Sequence, residues 1–297
     1  LSFSIGALLL VVLSSLAWGG YDALRKLLAH RIPPLTLLCL LTLAAVPLFA
    51  IWVAVDGMPA VAGGWTGYAL PALASVLLNI AANLAYIVTL RKAALSVSIP
   101  LLSLTPAFAA LLAVPLLGER PSLIQGAGIL LVVVGAFGLN LPAAERVSPA
   151  AALRSWQREP GALWMVAVAF LWALTIPLDK LAVARASGPF HGLVLNAGVA
   201  AGALIGLVAQ KRLRELGGVR EVAGPFVLSL VVSVAALGLQ LLAIQVLWVS
   251  LVETLKRGIG NVLAVVFGRL LFAEPVTGRK LAAVALMAAG VALLLLA

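Results

Sequence analysis

The chain has 297 residues, of which 64% are hydrophobic and only 10% charged, with a formal net charge of +10 and a mean hydropathy of +1.18. A soluble domain carries about 25% charged and about 45–50% apolar residues, so a soluble body of this size is excluded for want of polar surface to coat it. The composition predicts a polytopic helical protein whose surroundings are the lipid bilayer. The basic residues lie scattered between apolar tracts, which argues against nucleic-acid binding and places them in loops at the membrane surface.

Apolar tracts of about 20 residues, the length that crosses a bilayer, recur ten times in chain order. They run roughly over 4–27, 35–55, 67–90, 95–117, 122–142, 161–184, 190–210, 223–246, 249–272 and 277–297. The first is long enough to span and is expected to stay in the membrane rather than to be cleaved. The breaks are polar or rich in Pro and Gly, as in "HRIPP" at 30–34 and "GERPS" at 118–122. The break near 247–250 alone carries no charge.

The longest polar connection, 143–160, separates a first five-helix repeat (1–142) from a second (161–297). "LAWGGYDALRK" at 16–26 matches "FLWALTIPLDK" at 170–180, setting Trp18 and Lys26 opposite Trp172 and Lys180. "LLGERPS" at 116–122 matches "LFAEPVT" at 271–277, setting Glu119 opposite Glu274 and Ser122 opposite Thr277. Gly135 and Gly290 extend the series, and the offset stays at 154 to 155 throughout. An odd number of spans per repeat forces the second half in with opposite orientation. The expected fold is therefore all-α transmembrane, ten helices as two inverted five-helix repeats, an arrangement used by secondary transporters with a site near the midplane between the halves.

The stretch "LSVSIPLLSLTPAFAALLAVPLLGERPSLIQGAGILLVVVGAFGL" (95–139) resembles the fourth and fifth helices of EamA-type members of the drug/metabolite transporter superfamily, and 250–296 resembles the same region. The resemblance covers essentially the whole chain. It implies a ten-helix carrier with a central cavity lined mainly by helices one, three, four, six, eight and nine. Lys256-Arg257 resembles a ninth-helix pair with which plastid sugar-phosphate translocators grip phosphate. Those translocators also use a fourth-helix lysine, whereas the repeat equivalent of Lys256 here is Leu101.

The residues themselves point the same way. "LVETLKRGIG" at 251–260 places Glu253, Lys256 and Arg257 inside an apolar tract, where each charge costs about 2.5–3.5 kcal/mol or more. One acid cannot neutralise two bases, so a positive charge is left for a solute carboxylate or phosphate. Lys180, on the same membrane side as this cluster, and Trp18 and Trp172 are further candidates for the cavity wall. Asn79, Asn83 and Tyr86 form a polar stripe on the third helix, as Ser233, Gln240 and Gln245 do on the eighth, and interhelical hydrogen bonding explains such residues equally well. Ser98, Ser103 and Thr105 with Pro100 and Pro106 interrupt the fourth helix, and Gly258 and Gly260 are expected to loosen the ninth at the same level. Asp22 and Asp179 are candidate proton-coupling acids, although Arg25 and Lys26 one turn away favour a local ion pair for Asp22. Glu119 and Glu274 read as structural turn residues. Cys39, the only cysteine, excludes an intrachain disulfide, and His30 and His191, both next to loop residues, belong to no metal-ligand cluster.

The expected function is a secondary transporter, not an enzyme, moving a small anionic metabolite, a phosphate ester or a carboxylate, by alternating access. The alternatives are an exporter of aromatic or zwitterionic amino acids and a lipid-phosphate flippase. No serine–histidine pairing, HExxH motif or phosphotransferase carboxylate cluster supports an enzyme, no cofactor is required, and a monomer is compatible with the sequence. A bacterial cytoplasmic (inner) membrane is the expected location.

Lys and Arg collect in the odd-numbered connections, from Arg31 through Arg91, Lys92, Arg146, Arg154 and Arg158 to Lys211, Arg212, Arg214, Arg220, Arg279 and Lys280. The positive-inside rule then puts both termini outside. A cysteine introduced as Ala60→Cys should react with an impermeant maleimide in intact cells and one introduced as Gly217→Cys should not; the reverse pattern refutes this orientation.

Overall fold

The computed structural model describes residues 4–62, 64–92, 99–140, 160–273 and 275–296. The connection over 143–159, Ser98 and Glu274 lie outside the described residues. Among those described, every regular element is helical. In chain order they are α1 (Ile5–Ala29), α2 (Pro34–Asp56), α3 (Trp65–Lys92), a 3-10 segment (Ile99–Leu104), α4 (Thr105–Leu117), α5 (Leu123–Asn140), α6 (Pro160–Val183), α7 (Gly188–Ala209), a second 3-10 segment (Leu213–Val222), α8 (Ala223–Val246), α9 (Val249–Phe272) and α10 (Gly278–Leu296).

Among the described residues, seven helices are long and apolar enough to cross a membrane: Ile5–Ala29, Pro34–Asp56, Trp65–Tyr86, Leu163–Val183, Gly188–Ala209, Ala223–Val246 and Gly278–Leu296. Leu101–Leu117 and Leu123–Leu139 are apolar but shorter. The expected fourth span is divided because Pro106, in the first turn of α4, has no N–H to give and the chain before it winds as a 3-10 helix. Thr105 Oγ1 donates to the Leu102 carbonyl at 2.6 Å across that junction. α9 has the length, but Glu253, Lys256, Arg257 and Arg269 deprive it of a long uncharged run.

Helix starts follow local chemistry. Ser4 Oγ accepts from the Ala7 N–H, and Ser187 Oγ accepts from the Phe190 N–H, so α1 and α7 begin with side-chain N-caps. At α5, Ser122 and Gln125 bond each other's backbone N–H in a reciprocal capping box. α4 ends at Gly118, whose φ of 70° a side chain would resist.

The chain forms two compact units, and each draws helices from both halves of the sequence. One contains Ala81–Leu174 and Val249–Ala297, the other Ser2–Ile80 and Thr175–Trp248. In the first unit, α5 lies along α10. Gly135 meets the Ala283 carbonyl and Met287, while Gly290 meets the Gly128 carbonyl and Val132, so the residue number falls on one helix as it rises on the other. The two helices therefore run antiparallel, and a Cβ at Gly290 would come within 2.6 Å of the Gly128 oxygen. Small residues let backbones approach this closely where lipid supplies no hydrophobic drive. Gly258 of α9 packs at Val291 in the same way, and α9 runs through Gly258 and Gly260 as an unbroken helix. The expectation that these glycines loosen it is corrected: Gly258 serves close packing against α10.

In the second unit, α2 and α7 are also antiparallel, with Phe49 over Gly192 and Leu35 at Gly206. Ser14 of α1 donates to the Ala236 carbonyl of α8 at 2.9 Å. Trp52 of α2 stacks beside Phe49 and covers Gly238 of α8. Beyond the α7 end, Glu215 accepts from Thr36 at 2.6 Å and from Arg212 at 2.7 and 2.9 Å, tying the 3-10 connection to the start of α2. Its hydrogen bonds, from Arg212 first and Thr36 second, hold the Glu215 carboxyl below the usual glutamate range.

Large apolar side chains stay on the outside, Leu123 at 94% and Val55 at 84% exposure among them, which is the surface a bilayer accepts. Gly135→Leu or Gly290→Leu should overpack the α5–α10 contact and destabilise by about 1–3 kcal/mol or more. Gly138→Leu, where a Cβ meets nothing within 4 Å, should be tolerated. Thermal unfolding in detergent is the measurement, and equal melting of all three variants contradicts the packing assignment.

Candidate functional site

The charged turn of α9 is anchored before its charges begin. Its first residues, from Val249 to Leu255, are all buried. The Val249 N–H, one of the amides that a helix start leaves without an intrahelical partner, donates to Glu119 Oε2 at 2.8 Å. Glu119 is itself only 7% exposed and comes from the connection between α4 and α5. A carboxylate at a helix N-terminus also meets the positive end of the helix dipole. One turn on, Thr254 Oγ1 donates to the Ser250 carbonyl at 2.6 Å, which satisfies a hydroxyl that is fully buried in the helix.

On this support Glu253 projects into the interior, its side chain 1% exposed. Lys256 Nζ lies 2.5 Å from Glu253 Oε2, and Arg257 Nη2 lies 3.7 Å from Oε1. The spacings of three and four residues put all three groups on one helical face. Lys256 and Arg257 are 19% and 24% exposed, so they reach out of the packed interior where Glu253 does not. The short contact belongs to Lys256. The Arg257 contact is beyond hydrogen-bond length; Arg257 Nε and both Glu253 carboxylate oxygens are buried with no hydrogen-bond partner among the described residues, so the Lys256 contact is an ion pair by distance alone. Two cations thus stand beside one carboxylate in this turn.

Asn83, Tyr86, Ser103 and Trp172 belong to the same compact unit as this triad. The Tyr86 and Trp172 rings meet at 5.4 Å, packed against a cluster of Leu101, Leu102, Met165, Val168 and Ala169. Leu101, the repeat equivalent of Lys256, is thus a core residue at 1% exposure. Ser103 is buried and Asn83 half-buried. Lys180 and Trp18 belong to the other unit. Lys180 Nζ donates to the Leu247 carbonyl at 2.7 Å, close to the end of α8, and Trp18 packs edge-on to Tyr21 at 5.6 Å. Lys26 is exposed, and Asp22 pairs with Arg25 at 2.9 Å. Among the eighth-helix residues, Ser233 bonds the Leu230 carbonyl of its own helix and Gln240 is buried.

Two features escaped sequence reasoning. Glu119 reads as a turn residue because nothing in "LLGERPS" announces that its carboxylate caps a helix 130 positions away. His191 sits in the first turn of α7 rather than at a loop edge. It is fully buried, with Asp179 at 3.0 Å, in a helix whose start Ser187 caps. No group of three or more His, Cys, Asp and Glu suited to a metal ion occurs among the described residues.

A sequence model of the EamA-like transporter family matches the chain twice, over residues 5–141 and 159–296. The chain belongs to the EamA-like transporter family. It is a multi-pass integral membrane protein of the drug/metabolite transporter superfamily, a transporter of small molecules and not an enzyme. No curated protein matches it. A solved chain described as "Crystal structure of protein" superposes with a TM-score of 0.72, covering 97% of this transporter and 96% of its own length, at 18% identity. Likeness at that identity concerns the fold.

Glu119→Ala removes the cap on Val249 and should lower the transporter's stability by about 0.5–2 kcal/mol. Glu119→Gln keeps an acceptor oxygen and should lose less. Equal losses, or none, in thermal unfolding would show that the contact does not anchor α9.

Proposed function

We propose that this transporter is a carrier for a small anionic metabolite, a phosphate ester or a carboxylate, held by Lys256 and Arg257. The observation that carries the reading is the arrangement on α9. A fully buried Glu253 is matched by Lys256, while Arg257 stands farther off with a buried Nε lacking a hydrogen-bond partner among the described residues. A guanidinium so disposed suits bidentate contact with a carboxylate or phosphate, a charge-assisted contact worth about 1.5–3 kcal/mol. Glu253 orients the two cations and lowers the cost of keeping them in an apolar surrounding. Asn83, Tyr86, Ser103 and Trp172 shape the site from the same unit.

In this reading all ten apolar tracts cross a bacterial cytoplasmic membrane as two inverted five-helix repeats, and the solute moves by alternating access. The antiparallel run of two pairs of repeat mates, α2 with α7 and α5 with α10, supports the inversion. The contact of Gly135 with Ala283 and of Gly290 with Gly128 is reciprocal under the repeat offset, as a two-fold relation requires. Export of an amino acid with Glu253 receiving its ammonium fits less well, because that carboxylate is enclosed and Lys256 Nζ already stands 2.5 Å from it.

Thermal-shift measurements on the purified protein with phosphate esters, carboxylates and amino acids test the reading, since a bound ligand stabilises in proportion to ln(1 + [L]/Kd). Analogues that lack only the anionic group should lose at least about tenfold in affinity, the equivalent of about 1.4 kcal/mol. Lys256→Ala and Arg257→Ala should abolish the shift and the transport of the same ligand in proteoliposomes. Equal shifts from neutral analogues, or full transport by both variants, contradict it.

A further inference from the structure

The second unit holds a buried polar chain that the anion site does not use. Asp179 of α6 is 3% exposed and its Oδ1 faces His191 Nε2 at 3.0 Å. His191 of α7 has no exposed surface, and its other ring nitrogen, Nδ1, lies 3.3 Å from the Tyr68 hydroxyl. The Ser75 hydroxyl of α3 also donates to Asp179 Oδ1. Asn79 Nδ2 donates in turn to the Ser75 carbonyl at 3.1 Å and to its hydroxyl at 3.3 Å. Three helices thus contribute to one network whose centre is an acid and an imidazole.

The neighbouring charges are few. Lys180 follows Asp179 but turns its Nζ to the Leu247 carbonyl. Arg185 lies past the end of α6, its Nη1 near Gly67. α7 contributes no charged residue besides His191, α2 only Asp56 at its far end and the thiol of Cys39, and α8 none. α3 adds Tyr68 within the network. Among the described residues no Lys or Arg forms an ion pair with Asp179, and the ionisable group that faces its carboxylate is the imidazole.

We propose that Asp179 and His191 form a proton-binding site, and that its loading and release are steps in the transport cycle. With neutral His191, Nε2–H donates to Asp179 and Nδ1 accepts from the Tyr68 hydroxyl, so the pair carries one negative charge. A proton taken from water adds to Nδ1, which then donates to the Tyr68 oxygen, and the pair becomes neutral overall. The geometry serves both states without moving a heavy atom, while the low-dielectric surroundings make the charge difference strongly felt. Because α3, α6 and α7 all contribute, a change of charge acts on the packing of three helices at once. The proposal rests on the chain being a carrier, and not on which solute Lys256 and Arg257 hold.

Infrared pH-difference spectra of the purified protein in lipid nanodiscs, taken between about pH 5 and 9, test it without any solute. The wild type should give a carboxylate and imidazole signal that His191→Gln and Asp179→Asn each remove and that His30→Gln and Lys256→Ala retain. Tyr68→Phe, which removes a single hydroxyl, should move the midpoint of the signal. Hydrogen exchange of peptides from α6 and α7, corrected for intrinsic rate, should depend on pH in the wild type and not in Asp179→Asn. A signal that survives His191→Gln, a midpoint unmoved in Tyr68→Phe, no signal in the wild type, or exchange that ignores pH there would each overturn the proposal. Loss of solute binding in Lys256→Ala alongside an intact proton signal separates the two sites.

Discussion

An apolar surrounding leaves a polar group no water to fall back on, so each one must be answered from within the protein or by what the protein binds. In α9 this constraint decides the architecture. The helix keeps Glu253, Lys256 and Arg257 within five residues, and the structure answers them in order of burial. The enclosed carboxylate is met by a lysine at 2.5 Å, and the free amide at the helix start is met by Glu119. Arg257, the most exposed of the three, is met least closely. A helix held this firmly at its start sets its charged groups in defined places.

The same constraint governs how the helices hold together. Lipid tails are as apolar as leucine, so burying more leucine between helices brings little. Close approach does, and here it is secured by glycines opposite backbone or large side chains. Gly128 and Gly290 meet across α5 and α10, Gly192 receives the Phe49 ring across α2 and α7, and Gly238 receives Trp52. Where polar groups cross between helices they meet one another, singly as in Ser14 with the Ala236 carbonyl or in a network as around Asp179 and His191.

The two charged centres differ in kind. The α9 group sets two cations beside one acid and is partly exposed, whereas the Asp179–His191 pair is enclosed and is the one proposed here to take up and release a proton. Separate compact units carry them. Recognition of an anion needs a persistent charge, which Lys and Arg supply. A site that loads and unloads needs a group whose charge is labile, which an imidazole beside a carboxylate supplies.

Membrane residence, helical class, the internal duplication and the family were legible in the chain itself, because composition and a constant repeat offset survive without coordinates. The charges of 253–257 were legible for the same reason: a charge in an apolar tract stands out against its neighbours. Partnerships between distant positions were not. Nothing local says that Glu119 caps Val249, that His191 turns inward to Asp179 and Tyr68, or that Gly258 packs against α10 instead of loosening α9. The division of the fourth tract at Pro106 was legible, but not that α9 stays continuous, since a glycine costs a helix only about 1 kcal/mol relative to alanine and does not by itself break it. Sequence determined which groups had to be answered; only the tertiary structure decided what answers them, because the partners lie on helices that the chain brings together from both of its halves.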